Sequence, residues 1–376
     1  MEKAVNEGEH REVRDDASAG PADATGGAWS GSWVAERLGV ELAGDGRLTG
    51  LLGLALRRNP KRAHLLVSNV LGKHVPQSPS VVYGYGVELG RRVRDLLGDD
   101  EARRAVVLGY AETATGLGHS VADGLGLAPY LHSTRRPVAG VAQAGGFEES
   151  HSHATSHLLL PEDRALLTGD GPLVLVDDEF STGNTVLNTV RDLHGRYPRR
   201  RYVVVALVDM RSAADAGRLE EFAREIGARV DLVAAASGTV RLPEGVLEKG
   251  QELVARYEAE HAPNSGVAVE ADQEGDSSGA RGTARQAPTG PQPDYDRIDL
   301  YWPADLPDGA RHGFTPSHRA RLEAALPAMA ARIAEALPHH ARRVHILGFE
   351  ELMYAPLRLA RELERTTGIE VRYSTT

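Results

Sequence analysis

Cysteine is absent from all 376 residues, which excludes disulfides, thiolate nucleophiles and cysteine-bound zinc. No apolar run approaches the roughly 20 residues that a membrane helix requires. The N-terminus also lacks a basic segment followed by an apolar core. Both absences point to a cytoplasmic protein with no membrane partner. Positive charge is in deficit too: 53 Asp and Glu outnumber 43 Lys and Arg, for a net charge of -10. Such a surface repels a phosphodiester backbone, so no nucleic-acid partner is expected and small molecules fit better as substrates. Glycine-rich loops of the G-x-x-x-x-G-K-[ST] and G-x-G-x-x-G kinds are missing from the one turn where an anion site is expected, which argues against nucleoside triphosphate hydrolysis and dinucleotide binding there.

That turn follows the apolar run Leu173-Val174-Leu175-Val176. The run ends in Asp177-Asp178, passes through Glu179-Phe180 and the small-residue turn Ser181-Thr182-Gly183-Asn184-Thr185, and enters a helical stretch from Val186 to His194. A turn feeding a helix N-terminus presents unpaired amides and the positive end of the helix dipole, where a phosphate monoester settles. Ser181, Thr182 and Thr185 add hydroxyl donors, and Gly183 allows close backbone approach. Asp177 and Asp178 lie one ribose length away, placed to accept hydrogen bonds from vicinal hydroxyls, directly or through Mg²⁺ and its waters. The order predicts a sugar-phosphate site.

Strand and helix patterns alternate around it. Strands are predicted at 63–67, 105–108, 127–132, 173–176, 202–208 and 230–236, and helices at 84–97, 117–125, 185–194 and 213–226. Alternation implies an α/β fold with a mostly parallel sheet, helices on both faces, and ligands beyond the carboxyl ends of the strands. Residues 1–28 read as a disordered arm and 262–294, rich in Gly, Ser, Pro, Asp and Gln, as a flexible linker. They bound one domain at 29–261 and a smaller C-terminal α/β domain at 295–376.

Other polar segments end predicted strands. Gly109-Tyr110-Ala111-Glu112-Thr113 turns at a glycine into a helix, a setting for backbone amides to meet an oxyanion. Arg135 and Arg136 follow the next strand, and guanidinium groups bind oxyanions bidentately. A polar loop over 138–157 carries His151, His153 and His157, whose spacing matches no HExxH zinc pattern. Basic residues cluster at 57–62 and 71–74, and Val208-Asp209-Met210-Arg211 ends a further strand on the ligand side. Finally, 107–112 is echoed by 346–351 and 132–134 by 373–375, as if one strand-loop-helix-strand unit occurred twice.

The run from 173 to 185 resembles the phosphoribosyl diphosphate (PRPP) motif of type I phosphoribosyltransferases. Both halves together resemble a bacterial arrangement of a phosphoribosyltransferase domain followed by a domain named for its Thr-Arg-Ser-Pro motif, found with tellurium-resistance and stress-response gene clusters. The residues carrying this are 58–62, 71–74, 149–154, 177–185, 311–313 and 348–356. The resemblance implies the type I phosphoribosyltransferase fold. It implies a transferase of nucleotide metabolism that moves 5-phosphoribosyl from PRPP to a base-like acceptor, with Mg²⁺ as cofactor and a homodimer as the form common among members. It makes Asp177 and Asp178 the ribose and magnesium acids, residues 181–185 the 5′-phosphate loop, and 109–113 with Arg136 the diphosphate site. Arg135, His151 and His153 join the catalytic set, the histidines on a closing loop. Ser181 stands where purine-salvage members often carry Asp, and the sequence stops at Thr376 where the family continues into Arg-Ser-Pro, so a truncated last loop is expected. Two alternatives are weighed: a non-catalytic PRPP or nucleotide sensor of the same fold, though no helix-turn-helix accompanies it, and a hydrolase or phosphorylase acting through the C-terminal domain.

Overall fold

The computed structural model describes residues 29–59, 61–148, 156–260 and 295–376. The expected arm at 1–28, the linker at 262–294, and His151 and His153 lie outside the described residues. The chain opens with α1 (Ser32–Leu38), β1 (Glu41–Gly44), α2 (Leu48–Leu51) and an antiparallel hairpin of β2 (Leu52–Leu56) and β3 (His64–Ser68). Next come α3 (Pro79–Leu97), α4 (Asp99–Ala102), β4 (Val106–Gly109), α5 (Thr115–Gly126) and β5 (Tyr130–His132). A second hairpin, β6 (Gly145–Glu148) with β7 (Ser156–Leu159), then α6 (Ala165–Thr168) and β8 (Leu173–Phe180) follow. After these come α7 (Asn184–Arg196), β9 (Arg201–Asp209), α8 (Ala213–Ile226), β10 (Arg229–Arg241) and α9 (Val246–Glu260). The last segment holds α10 (Pro316–Ala336), β11 (Arg343–Gly348), α11 (Tyr354–Thr367) and β12 (Glu370–Thr375).

The central sheet runs β1-β10-β9-β8-β4-β5, with only β1 antiparallel to its neighbour. Strand periodicity puts alternate residues on opposite faces. Val174, Val176, Val203 and Val205 therefore pack with α3 and α5, while Leu173, Leu175, Tyr202 and Val204 pack with α7 and α8. Each such buried side chain contributes about 1.5–3 kcal/mol. On the first face α3 and α5 approach closely because Gly90 and Gly124 meet backbone where a methyl group would collide. From β4 the chain steps outward to β5, and from β8 it steps the other way to β9 and β10, so the winding reverses between β4 and β8. That switch point is where open α/β sheets bind ligands.

Several expected boundaries shift. Leu127 is the left-handed cap of α5 with φ 63°, so β5 starts only at Tyr130. The loop expected over 138–157 contains β6 and β7. The strand expected over 173–176 continues to Phe180, so Asp177 and Asp178 are strand residues, held in register against Ala206 and its neighbours.

Residues 295–376 pack directly on the first domain. Leu322, Leu326, Leu357, Leu363 and Tyr373 share one hydrophobic cluster with α3, α5 and the sheet. Tyr130 and Phe314 exchange reciprocal backbone hydrogen bonds of 2.9 and 2.7 Å, covering the β5 edge, and Gln77 and Tyr373 do the same at 2.9 and 2.8 Å. Beneath them Asp123 on α5 accepts hydrogen bonds from Tyr83 (2.9 Å) and Tyr354 (2.7 Å), and it pairs with Arg319 and Arg358. Burial raises the Asp123 pKa and the two arginines oppose that. Among the described residues no helix is long and apolar enough to cross a membrane.

Replacing Asp123 with Asn leaves two buried guanidinium groups without their central anion. Stability is expected to fall by about 3 kcal/mol, at the low end because Glu323 still pairs with both arginines. The urea midpoint reads this, and an unchanged midpoint would mean that the units are held together elsewhere.

Candidate active site

At the carboxyl end of β8, three acids stand in sequence. The Asp178 amide donates to Asp177 Oδ1 at 3.0 Å. Burial drives the Asp177 pKa well above the usual carboxylate range, and the charge of Asp178 drives it further. Glu179 is pushed up to about 7, first by burial and then by Asp178, against the pull of Arg62. Asp178 also reaches toward the loop after β3. There burial and Lys73 hold the His74 pKa down while Asp178 draws it up. Like charges gathered in a low-dielectric strand end create a standing demand for hydroxyl donors or a cation. Among the described residues no group of three or more His, Asp or Glu converges on a metal. Two adjacent carboxylates nonetheless match what Mg²⁺ takes from a protein when substrate phosphates and water complete its shell.

The turn after β8 is shaped by Gly183, whose φ of 75° and contact with the Phe180 ring exclude a side chain. The first helical bond of α7 runs from the Leu187 amide to the Gly183 carbonyl at 2.9 Å. The amides of Asn184, Thr185 and Val186 therefore precede any intrahelical partner and sit at the positive end of the dipole. Arg218 of α8 braces the turn from outside, donating to the Thr182 carbonyl at 3.4 Å and to the Asn184 side chain. What Asn184 has to offer an anion is thus its amide. Arg211 lies 4.9 Å from the Phe180 ring centre and is bidentate on Asp209 at 2.8 and 2.9 Å, so the polar end of β9 is locked internally.

Across the switch point, the turn after β4 narrows the expected diphosphate donors. The Tyr110 amide is used by the Val176 carbonyl at 3.1 Å, and its ring is buried. The Ala111 amide donates to Ser133 Oγ at 2.9 Å, and Ser133 Oγ meets His157 Nδ1 at 2.9 Å. Gly109 gives its carbonyl to the Ser133 amide at 3.0 Å. Gly109, Tyr110 and Ala111 use these backbone groups to hold the loop in shape. Among the described residues only the Glu112 and Thr113 amides of this turn have no partner. The Ala111–Glu112 peptide is cis. His157, expected on an open loop, is buried in β7.

Arg135 and Arg136 are exposed beyond β5, and Arg136 pairs with Glu350 of the C-terminal segment. Thr134 donates to Glu351 at 2.6 Å. Neither glutamate is assigned a role from the sequence, although both the family-like stretch 348–356 and the internal echo include them. The echo extends to hydrogen bonding with a shifted partner: Thr376, rather than the expected Ser374, takes the place of Ser133. The Thr376 amide meets the Gly348 carbonyl at 3.3 Å and the Glu350 amide meets Thr376 Oγ1 at 3.1 Å, repeating the Ser133–Gly109 and Ala111–Ser133 bonds. The second turn is acidic, and its Leu352 and Met353 amides close on Phe349 and Glu351, so it does not reproduce an anion loop. Two cavities, one lined by Arg358 and Arg361 and the other by Arg297 and Trp302, lie in the C-terminal segment outside this crevice.

A carboxyl whose folded pKa is raised is favoured in its protonated form. Stability attributable to Glu179 is therefore greatest below its ordinary 4.5 and falls as pH rises toward about 7. The shift corresponds to a loss on the order of 3 kcal/mol. Glu179→Gln is expected to flatten this slope and to be more stable than the parent at pH 8. Identical denaturant midpoints for the two proteins across pH 4 to 8 would contradict the buried placement of the acid.

Solved structures similar to this chain include adenine phosphoribosyl transferase from Trypanosoma brucei, at 14% identity over 49% of this chain and 76% of that one, with a TM-score of 0.36. The adenine enzyme from Giardia lamblia is 17% identical over 49% and 93% of the two chains, TM-score 0.35. Orotate phosphoribosyltransferase from Aeropyrum pernix is 22% identical over 53% and 92%, TM-score 0.31. No curated protein matches the sequence. Residues 51–239 match the family described as phosphoribosyl transferase, and residues 308–376 match the TRSP domain that lies C-terminal to it. With the parallel sheet, the acidic strand end and the two turns at its switch point, the chain belongs to this phosphoribosyltransferase family and carries its TRSP companion domain.

Proposed function

We propose that the protein transfers 5-phosphoribosyl from PRPP to a base-like nitrogen acceptor in a Mg²⁺-dependent reaction. The bond from the ribose C1 to diphosphate breaks, a bond from C1 to the acceptor nitrogen forms, and the nitrogen gives up a proton. The reading rests on one observation: an acid pair at the end of β8 lies at the switch point, between a turn with open amides at 184–186 and a turn with open amides at 112–113.

Each element then has a task. The amides of 184–186 with the hydroxyls of Ser181, Thr182 and Thr185 bind the 5′-phosphate at the α7 N-terminus. Asp177 and Asp178 accept hydrogen bonds from the ribose hydroxyls, and each such charge-assisted bond is worth about 1.5–3 kcal/mol. The Glu112 and Thr113 amides, with Arg135 and Arg136, hold the departing diphosphate. Asp177 and Asp178 are also the residues that would hold Mg²⁺, which when bound neutralises diphosphate charge. The transition state carries positive charge on the sugar, so catalysis comes from positioning and from fixed negative charge beneath the ring rather than from a covalent intermediate.

Asp178→Asn is expected to weaken Mg²⁺-PRPP binding at least tenfold, about 1.4 kcal/mol. Unchanged affinity by calorimetry would remove the acids from the site. The double variant Thr182→Val with Thr185→Val is expected to bind ribose 5-phosphate more weakly, and a constant dissociation constant would mean that the turn has been misassigned. Diphosphate release from PRPP with a panel of bases tests the transfer itself; PRPP binding without release with any base favours the sensor alternative.

A further inference from the structure

The C-terminal segment meets the loop Thr134–Arg136 with two consecutive carboxylates. Glu351 is only 6% exposed. Its Oε2 accepts two hydrogen bonds from Arg311, at 2.9 and 2.6 Å, and its Oε1 accepts one from Thr134 at 2.6 Å. The Thr134 hydroxyl oxygen in turn accepts the Arg136 amide at 3.1 Å. A chain of bonds thus runs from a buried acid of one unit to the backbone that carries the exposed arginines of the other. Burial alone would raise the Glu351 pKa, but the Thr134 hydrogen bond and the charges of His132 and Arg311 hold it below the usual range, so the group is ionised. Glu350 sits one residue earlier with φ 49°, a left-handed backbone conformation that a non-glycine residue adopts at a cost. Its amide is pinned to Thr376 at 3.1 Å, and its carboxylate pairs with the Arg136 guanidinium.

We propose that the C-terminal domain is a working part of the phosphoribosyl site: Glu351 positions the loop Thr134–Arg136 for the diphosphate, and Glu350 is the counter-ion that diphosphate displaces from Arg136. The proposal rests on the phosphoribosyl reading above. The ligand class is a diphosphate, free or as part of PRPP. Glu351 is a positioning residue, because it acts through Thr134 and touches no substrate. Glu350 competes with the ligand for one guanidinium group. The two adjacent glutamates therefore have opposite effects on the same subsite, an outcome that loss of structural support alone does not produce.

The test titrates magnesium diphosphate and ribose 5-phosphate separately into the full chain by calorimetry. Glu350→Gln is expected to tighten diphosphate binding about 3- to 10-fold, and Glu351→Gln to weaken it about tenfold, roughly one decade in the dissociation constant. Thr134→Val, which leaves the Glu351–Arg311 pair intact, is expected to weaken diphosphate binding like Glu351→Gln and stands in for it should that variant fail to fold. Ribose 5-phosphate affinity is expected to stay constant throughout, because the 181–185 turn is untouched. A parent protein that binds neither probe overturns the phosphoribosyl reading and this proposal with it. A parent that binds both, with variants that match it or lose both probes equally, overturns this proposal alone.

Discussion

Burial of adjacent carboxylates at the end of β8, sharpened by the charge of Asp178, is the constraint around which the site is organised. Asp177 is driven well above its ordinary pKa and Glu179 to about 7, because the strand that carries them lies between β4 and β9 with apolar layers on both faces. An arrangement of this kind is relieved when an outside group donates hydrogen bonds or positive charge. Hydroxyl groups of a sugar and a hard cation both do so. The anion-seeking turns on either side, one opening α7 and the other following β4, are separated by those acids, so the charge pattern of the crevice is positive, negative, positive. PRPP has the complementary pattern, with a phosphate at each end of a polyhydroxyl ring.

The same crevice depends on what covers its outer side. Segment 295–376 completes the β5 edge, shares the principal core and sets Asp123, Arg319 and Arg358 in one buried cluster. Its own strand-loop-helix-strand unit repeats two hydrogen bonds of the β4–β5 unit, with Glu350 where the first has Ala111, and its Leu352 amide is closed where the first leaves the Thr113 amide open. The repeat has kept its architecture and gained one acid, Glu350, and both of its glutamates pair with arginines.

Much of this was legible in the sequence. Runs such as 173–176 and 202–208 read as strands because both faces are buried, and 213–226 reads as a helix because Ser212 caps it, accepting from the Asp215 amide. The acid pair and the small-residue turn were legible because their chemistry depends on local order. What escaped depends on distance. Which amides of 109–113 are already used is decided by Ser133 and Val176, and the link from Thr134 to Glu351 spans 217 positions. Helix α9 is not among the predicted helices although its apolar periodicity matches that of α8; it buries only Gly250. Glu179 passed for a spacer because its significance comes from burial rather than from the motif.

The most direct measurement is a crystal structure of the full chain with PRPP and Mg²⁺. The account predicts the 5′-phosphate oxygens at about 2.7–3.2 Å from the amides of 184–186, with the ribose hydroxyls on Asp177 and Asp178. A ligand whose sugar lies away from both carboxylates, or whose phosphate sits anywhere but that turn, would contradict it.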